Sequence, residues 1–375
     1  MRKIIFLFLA LLCLHPLMAQ QKVTFRITTL PPYHTTSSAL FLAGSFNNWN
    51  PASNDFALSQ KGGVYETTIS LPKGKYEYKV TRGSWATAEC EAGGMIRENR
   101  QLVVDGDVTV DISINHWADH FPPPAKKSTA NKNVHIIDTA FFIPQLNRHR
   151  RVWIYLPTSY ATAHKKYPVL YMHDGQNLFD DATAYSGEWG VDEALDTLGL
   201  QTKECIVVGI DNGLDKRLNE YSPYDMEKYG KGEGDAYVEF LVKTLKPYID
   251  KKYRTKKCRK HRFVAGSSMG GLISFYAILK YPKVFGGAGV FSPAFWIVPR
   301  LKSGLEAKAK KVKGKIYFYA GMQESESMVP DMLYVLEQMS AHSKAKMTSV
   351  IRAAGKHNEA TWRQEFPLFY RWIIK

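Results

Sequence analysis

The sequence predicts a chain in two parts, a small all-β sandwich followed by a larger α/β domain with a mostly parallel sheet flanked by helices. Three observations lead there. Short strand-like runs with no helical period fill residues 22–117; a proline- and lysine-rich stretch follows; and from about residue 134 short, wholly apolar runs alternate with helical segments. With 375 residues, 45% of them hydrophobic, the chain can fill about two cores.

In chain order, residues 1–20 read as a secretory signal. Arg2-Lys3 precedes the apolar run Ile4–Leu14, then Pro16 and a cleavable Ala19. The run is too short for a stable membrane span. Leu12 stands before Cys13 where a lipoprotein signal has a small residue, so the expectation is export to the periplasm or medium with no membrane anchor. Residues 21–118 form the sandwich, immunoglobulin-like in its expected layout, with strands at Val23–Ile27, Ala39–Ala43, Val64–Ile69, Tyr76–Val80, Gln101–Val104 and Val108–Ile112. Residues 119–133, including Phe121-Pro-Pro-Pro-Ala-Lys-Lys, read as a linker. Residues 134–375 carry strands at Val152–Leu156, Val169–Met172, Ile206–Ile210, Arg262–Ala265, Ala288–Phe291, Ile316–Ala320 and Met347–Ile351. Helices are expected over Ala236–Ile249, Leu272–Leu279, Met328–Met339 and Ala360–Phe366. Wholly apolar strands between helices imply a sheet covered on both faces, with ligands beyond the carboxyl ends of its strands.

The formal charge of +15 becomes +13 once Arg2 and Lys3 are removed. No nucleic-acid motif accompanies the lysine-rich patches at 255–262 and 308–315, which read as solvated faces, so no nucleic-acid partner is expected. Oligomeric state is left open. Cys90, Cys205 and Cys258 are too few and too odd for a disulfide framework. His116 and His120 have metal-ligand spacing but lack the glutamate of the zinc-protease motif and abut the proline-rich stretch. No metal or cofactor is expected.

The chemistry is concentrated in Val264-Ala-Gly-Ser-Ser-Met-Gly-Gly271. Gly266-Ser-Ser-Met-Gly270 satisfies G-x-S-x-G only when centred on Ser268, and it lies between an expected strand and an expected helix, as a nucleophile elbow does. The elbow would leave the Met269 amide facing a developing oxyanion at a helix N-terminus. Serine is a weak nucleophile until a base takes its proton and a third group orients that base. His357, after the last strand, is placed to be the base. The acid is expected after Ile316–Ala320, at Glu324 with Glu326 in reserve. The turn at Tyr171-Met-His-Asp-Gly-Gln176 offers the Gln176 amide as second oxyanion donor. Asp211, Asn212 and Arg217 are substrate-contact candidates, although loop capping accounts for them equally well. Loops 178–190 and 294–300 are expected to shape the pocket.

These residues resemble a known family. Tyr171–Asp180, Gly187-Glu-Trp-Gly-Val-Asp-Glu193 with Trp189, Ile206–Gly213 with Arg217 and Glu220-Tyr-Ser-Pro223, Gly266–Gly270 and Gly355-x-His-Asn-Glu359 are similar, in order, to the Putative esterase superfamily. That α/β-hydrolase group includes enterochelin esterase and the feruloyl and acetyl-xylan esterases of carbohydrate esterase family 1. The resemblance implies a cofactor-free serine carboxylesterase with Ser268, His357 and the Met269 and Gln176 amides in the roles above, and Trp189 among the substrate contacts. The family's acid is often Asp, where this chain has Glu. Leu42–Pro51, Tyr76–Trp85 and Glu98-Asn-Arg100 resemble starch- and glycogen-binding modules. That resemblance implies sugar contacts at Trp49, Trp85, Lys79 and Asn99, unless the tryptophans are packed into a purely structural sandwich.

The expected function is an exported hydrolase of acyl esters on carbohydrate, acetyl or feruloyl. A ferric-siderophore trilactone esterase is the alternative substrate class, and a non-catalytic glycan-binding protein the alternative of another kind.

Overall fold

A computed structural model of the chain describes residues 20–95, 97–121, 126–199 and 201–375. The expected signal therefore lies outside the described residues except for Gln20, which opens the first strand. The chain divides into two compact units, residues 1–125 and 126–375.

The first unit contains β1 (Gln20–Thr29), β2 (Leu40–Gly44), β3 (Ala57–Lys61), β4 (Val64–Pro72), β5 (Gly74–Thr81), β6 (Glu89–Cys90), β7 (Arg100–Val104), β8 (Val108–Ser113) and β9 (His116–Trp117). Seven of them hydrogen-bond in the order β7-β5-β2-β3-β4-β1-β8, and β6 pairs with β9. Alternation builds the core: Val23, Phe25 and Ile27 meet Leu40, Leu42, Tyr78, Val80, Leu102 and Val104 around Trp117. β3 has no strand signature in the sequence, because among the described side chains of its run only Leu58 is buried. It joins the halves of the sheet, pairing through Ala57 and Leu58 with β2 and through Ser59–Lys61 with β4.

The second unit is built on β10 (Val134–Ile143), β11 (Arg148–Tyr155), β12 (Val169–His173), β13 (Ile206–Ile210), β14 (Arg262–Ser267), β15 (Gly287–Phe291), β16 (Lys315–Gly321) and β17 (Lys346–Arg352). Their order is β10-β11-β13-β12-β14-β15-β16-β17. β11 runs antiparallel to both of its neighbours, and every pair from β13 to β17 is parallel. The central strands are apolar throughout because both faces are covered. Val169 and Tyr171 of β12 face one core while Leu170 and Met172 face the other. The first face is covered by α3 (Gly234–Phe240), which runs through a π-helical stretch (Leu241–Leu245) into α4 (Lys246–Lys252), and by α5 (Met269–Lys280), α6 (Leu305–Ala309) and α7 (Met328–His342). The second is covered by α1 (Val191–Gly199) and α8 (Glu359–Ile373). A short α2 (Arg217–Tyr221) follows β13.

One expectation needs correction. Residues 126–133 are not a free linker: the Ser128 hydroxyl donates to Asp180 Oδ2 (2.9 Å), the Asn131 amide to Asp192 Oδ2 (2.9 Å) and the Asn133 side chain to Asp196 Oδ1 (3.0 Å). Backbone and side-chain groups of this stretch are partners for the carboxylates of Asp180, Asp192 and Asp196.

Candidate active site

Ser268 sits between β14 and α5 with φ 57° and ψ −120°, a conformation that costs a non-glycine residue on the order of 1–3 kcal/mol. The surroundings hold it there. Its N–H donates to Phe291 O (2.9 Å), and its carbonyl accepts from the Leu272 (3.0 Å) and Ala294 (3.1 Å) amides. The glycines are there because the backbones nearly touch. A Cβ on Gly266 would lie 2.9 Å from the Gly270 carbonyl carbon, and one on Gly271 would lie 2.6 Å from Phe291 O. Both serines border a cavity of about 660 Å³, but Ser267 is buried on the strand, whereas Ser268 is only partly covered at the turn.

His357 lines the same cavity, and its Nδ1 lies 2.6 Å from Glu324 Oε2. Two loops bring them together: the one after β16 carries Glu324, the one after β17 carries His357, and the loops cross glycine against glycine. A Cβ on Gly321 would collide with the Gly355 backbone, and the Gln323 amide donates to Gly355 O (2.9 Å). The Glu324 side chain is 1% exposed, and its other oxygen accepts from Ser292 Oγ (2.8 Å) and the Gly321 amide (2.6 Å). Trp362 Nε1 donates to the same Ser292 oxygen (2.9 Å), and its ring meets the His357 ring edge-on at 5.1 Å. These contacts leave Oε2 of Glu324 for the histidine. Glu326, the reserve acid, is exposed and makes no hydrogen bond or ion pair among the described residues.

The Met269 amide opens α5, and the Gln176 amide lies in the 3₁₀ turn Gly175–Asn177 after β12. Neither donates to a protein acceptor among the described residues. Two unused N–H groups beside a serine suit an oxyanion. The turn needs Gly175, whose Cβ would lie 2.8 Å from the Ile210 backbone.

The rest of the wall is polar. Asp174, in the left-handed region at φ 56°, is buried and accepts from Arg217 Nε (2.6 Å), Arg217 Nη2 (2.9 Å) and Asn212 Nδ2 (2.8 Å). Burial raises its carboxyl, but the Arg217 charge and hydrogen bond outweigh that and hold it below the usual carboxylate range. His173 is buried with Nδ1 2.9 Å from the Tyr237 hydroxyl, and burial lowers its imidazole to about 4. Glu359, just after the Asn358 N-cap of α8, is pushed up by burial and by the nearby Asp174 charge.

Of the expected substrate contacts, Asn212, Arg217 and Trp189 line the cavity, and Asp211 does not. Its carboxylate is taken by Arg151 Nε (2.9 Å) and Trp153 Nε1 (2.7 Å). Thr183, Ala184, Tyr185 and Trp189 come from the 178–190 loop as expected, but no residue of 294–300 lines the cavity. His173, Asn177, Leu214, Glu359 and Trp362 do, and sequence reasoning had given them no site role. Glu359 had a signal, since it stands two residues after His357 in the same motif.

In the first unit, Trp49 and Trp85 lie 6.2 Å apart between ring centroids, and Trp85 is 40% exposed. The tryptophan packed in that core is Trp117 instead. Asn99 donates to Glu77 Oε2 (2.9 Å), and Lys79 Nζ donates to Arg97 O.

Fold and site together define a hydrolase of the esterase kind carrying an all-β module. The chain belongs to the Putative esterase family, whose model matches residues 143–372, and residues 36–120 match the pullulanase X25 domain. An uncharacterized Bacillus subtilis protein, YbbA, is 28% identical over 53% of this chain and 79% of its own length. An endo-1,4-beta-xylanase/feruloyl esterase of Xylanibacter ruminicola is 24% identical over 70% of this chain, which spans only 36% of that protein. Among solved structures, the enterobactin esterase FES of Shigella flexneri, crystallised in the presence of enterobactin, has a TM-score of 0.53 at 17% identity, covering 94% of this chain and 92% of that one.

Proposed function

We propose that the protein is an exported serine carboxylesterase that removes acyl groups, acetyl or feruloyl, from carbohydrate. The observation that carries the catalytic reading is the Glu324–His357 bond in a cavity shared with Ser268 at a strained elbow. His357 takes the Ser268 proton on Nε2 while Glu324 holds Nδ1–H, and Oγ adds to the ester carbonyl. The oxyanion is received by the Met269 and Gln176 amides. Collapse expels the sugar alcohol, protonated by His357, and leaves an acyl-enzyme. Water, deprotonated by His357, then releases the acid and restores Ser268.

The substrate class is supported by the relative named as a xylanase/feruloyl esterase and by the attached X25-type module. Its electrostatics disfavour an anionic siderophore. The one cation among the described lining residues is Arg217, and Asp174 already takes the Nε and Nη2 edge of its guanidinium. Hydroxyl-rich sugars suit a wall of Asn177, Thr183, Asn212 and Glu359, and the exposed Tyr185 offers ring surface to an aromatic acyl group. Feruloylated and acetylated xylan oligosaccharides should be hydrolysed with higher kcat/KM than a catecholate trilactone. A preference for the trilactone would overturn the substrate assignment while leaving the mechanism intact.

A further inference from the structure

Away from the serine, Glu188, Asp192 and Glu193 bring one carboxylate oxygen each to within 4.8 Å of one another. The side chain of Glu188 is 2% exposed, and Asp192 is wholly buried. Glu188 Oε2, Asp192 Oδ1 and Glu193 Oε2 are buried, and none accepts a hydrogen bond among the described residues. On the other oxygens, Arg363 Nη1 lies 3.4 Å from Glu188 Oε1, Arg363 Nη2 lies 3.8 Å from Glu193 Oε1, and the Asn131 amide donates to Asp192 Oδ2 (2.9 Å). Each carboxylate is thus satisfied on one side and bare on the other. Asp192 and Glu193 also stand in the first turn of α1, whose amides favour negative charge but leave these oxygens unbonded.

Three carboxylates beside one guanidinium leave an excess of negative charge, two of the three in buried side chains, that a cation would offset. Oxygens around calcium sit about 2.3–2.6 Å from the ion, so two of them lie at most about 5 Å apart, the span found for this group. No metal motif is readable here because the ligands straddle a loop and a helix start without any motif spacing. We propose that Glu188, Asp192 and Glu193 bind one divalent, oxygen-preferring cation, calcium foremost, with water completing its shell. The ion fastens the Trp189 wall of the cavity to the start of α1. Trp189 lies between Glu188 and Gly190 in the chain and meets Trp362 at 5.7 Å, the same Trp362 that meets His357.

The test is calorimetric titration of calcium chloride into the full chain after stripping with EDTA. It is paired with terbium luminescence excited through tryptophan, which Trp189 beside the site should sensitise. One ion per chain is expected, with a Kd on the order of 10⁻⁴–10⁻³ M, as for sites with few protein ligands. The melting temperature should rise with calcium and not with sodium chloride at equal ionic strength. Asp192→Asn and Glu193→Gln should each weaken calcium binding by about tenfold or more and lose the terbium signal. Glu193 is 41% exposed on its side chain, so its variant should fold even where Asp192→Asn does not. Absence of calcium binding to the stripped wild type, or affinity undiminished in Glu193→Gln, overturns the proposal.

Discussion

Glu324 buries its carboxylate between Ser292, Gly321 and His357, while Glu326, two residues on, is exposed. The sequence could bring the acid to this loop and no further, since choosing between the two depends on the loop crossing at Gly321 and Gly355. Glu324→Ala should lower kcat on p-nitrophenyl acetate by about 10²–10⁴-fold, because the base loses its orienting partner. Glu326→Ala should match wild type. Similar small losses in both would remove Glu324 from the mechanism. His173 makes a second prediction at this scale. Its folded-state value of about 4 lies below the unfolded value of about 6.5, so the unfolded chain binds the extra proton between them. The stability that neutral His173 contributes is complete above about pH 6.5 and falls, by about 3 kcal/mol, as pH drops toward 4. Denaturant unfolding across that range should show a smaller loss in His173→Gln than in wild type; equal losses would contradict it.

The elbow is the element in which local geometry matters most. Gly266 and Gly270 were readable from the motif, whereas Gly271 was not, since its contact is with β15, more than fifteen residues away in sequence. Gly271→Ala should cost about 1–3 kcal/mol as the new methyl presses on Phe291 O, lowering the urea midpoint; an unchanged midpoint would refute the close contact. The strands β12 to β16 were legible because burial on both faces makes them largely apolar, whereas β17, with no buried residue, was legible only through its Met347–Ile351 run. β10 and β3 were not: most of β10 is exposed, so it has no clean period, and β3 buries only Leu58 among its described side chains. α1 was masked by its acidic first turn, which looks like loop.

Across the whole molecule, the loops that carry the candidate triad were easier to read from sequence than the wall around them. Ser268, His357 and Glu324 lie in loops following β14, β17 and β16, so strand order alone predicts their neighbourhood. The cavity wall draws on residues from His173 to Trp362, whose meeting depends on tertiary packing that no local pattern records. In the first unit the Trp85 ring is exposed beside Trp49, and we propose that this pair stacks against sugar. Trp85→Ala should remove the retardation of the protein in glycogen- or xylan-containing native gels; identical mobility of variant and wild type would rule out that stacking. The central claim, that Ser268 is the nucleophile and Ser267 is not, is tested most directly by fluorophosphonate labelling read by intact mass and peptide mapping. One adduct on Ser268 is expected, retained in Ser267→Ala and absent in Ser268→Ala; an adduct on Ser267, or labelling that survives Ser268→Ala, would contradict it.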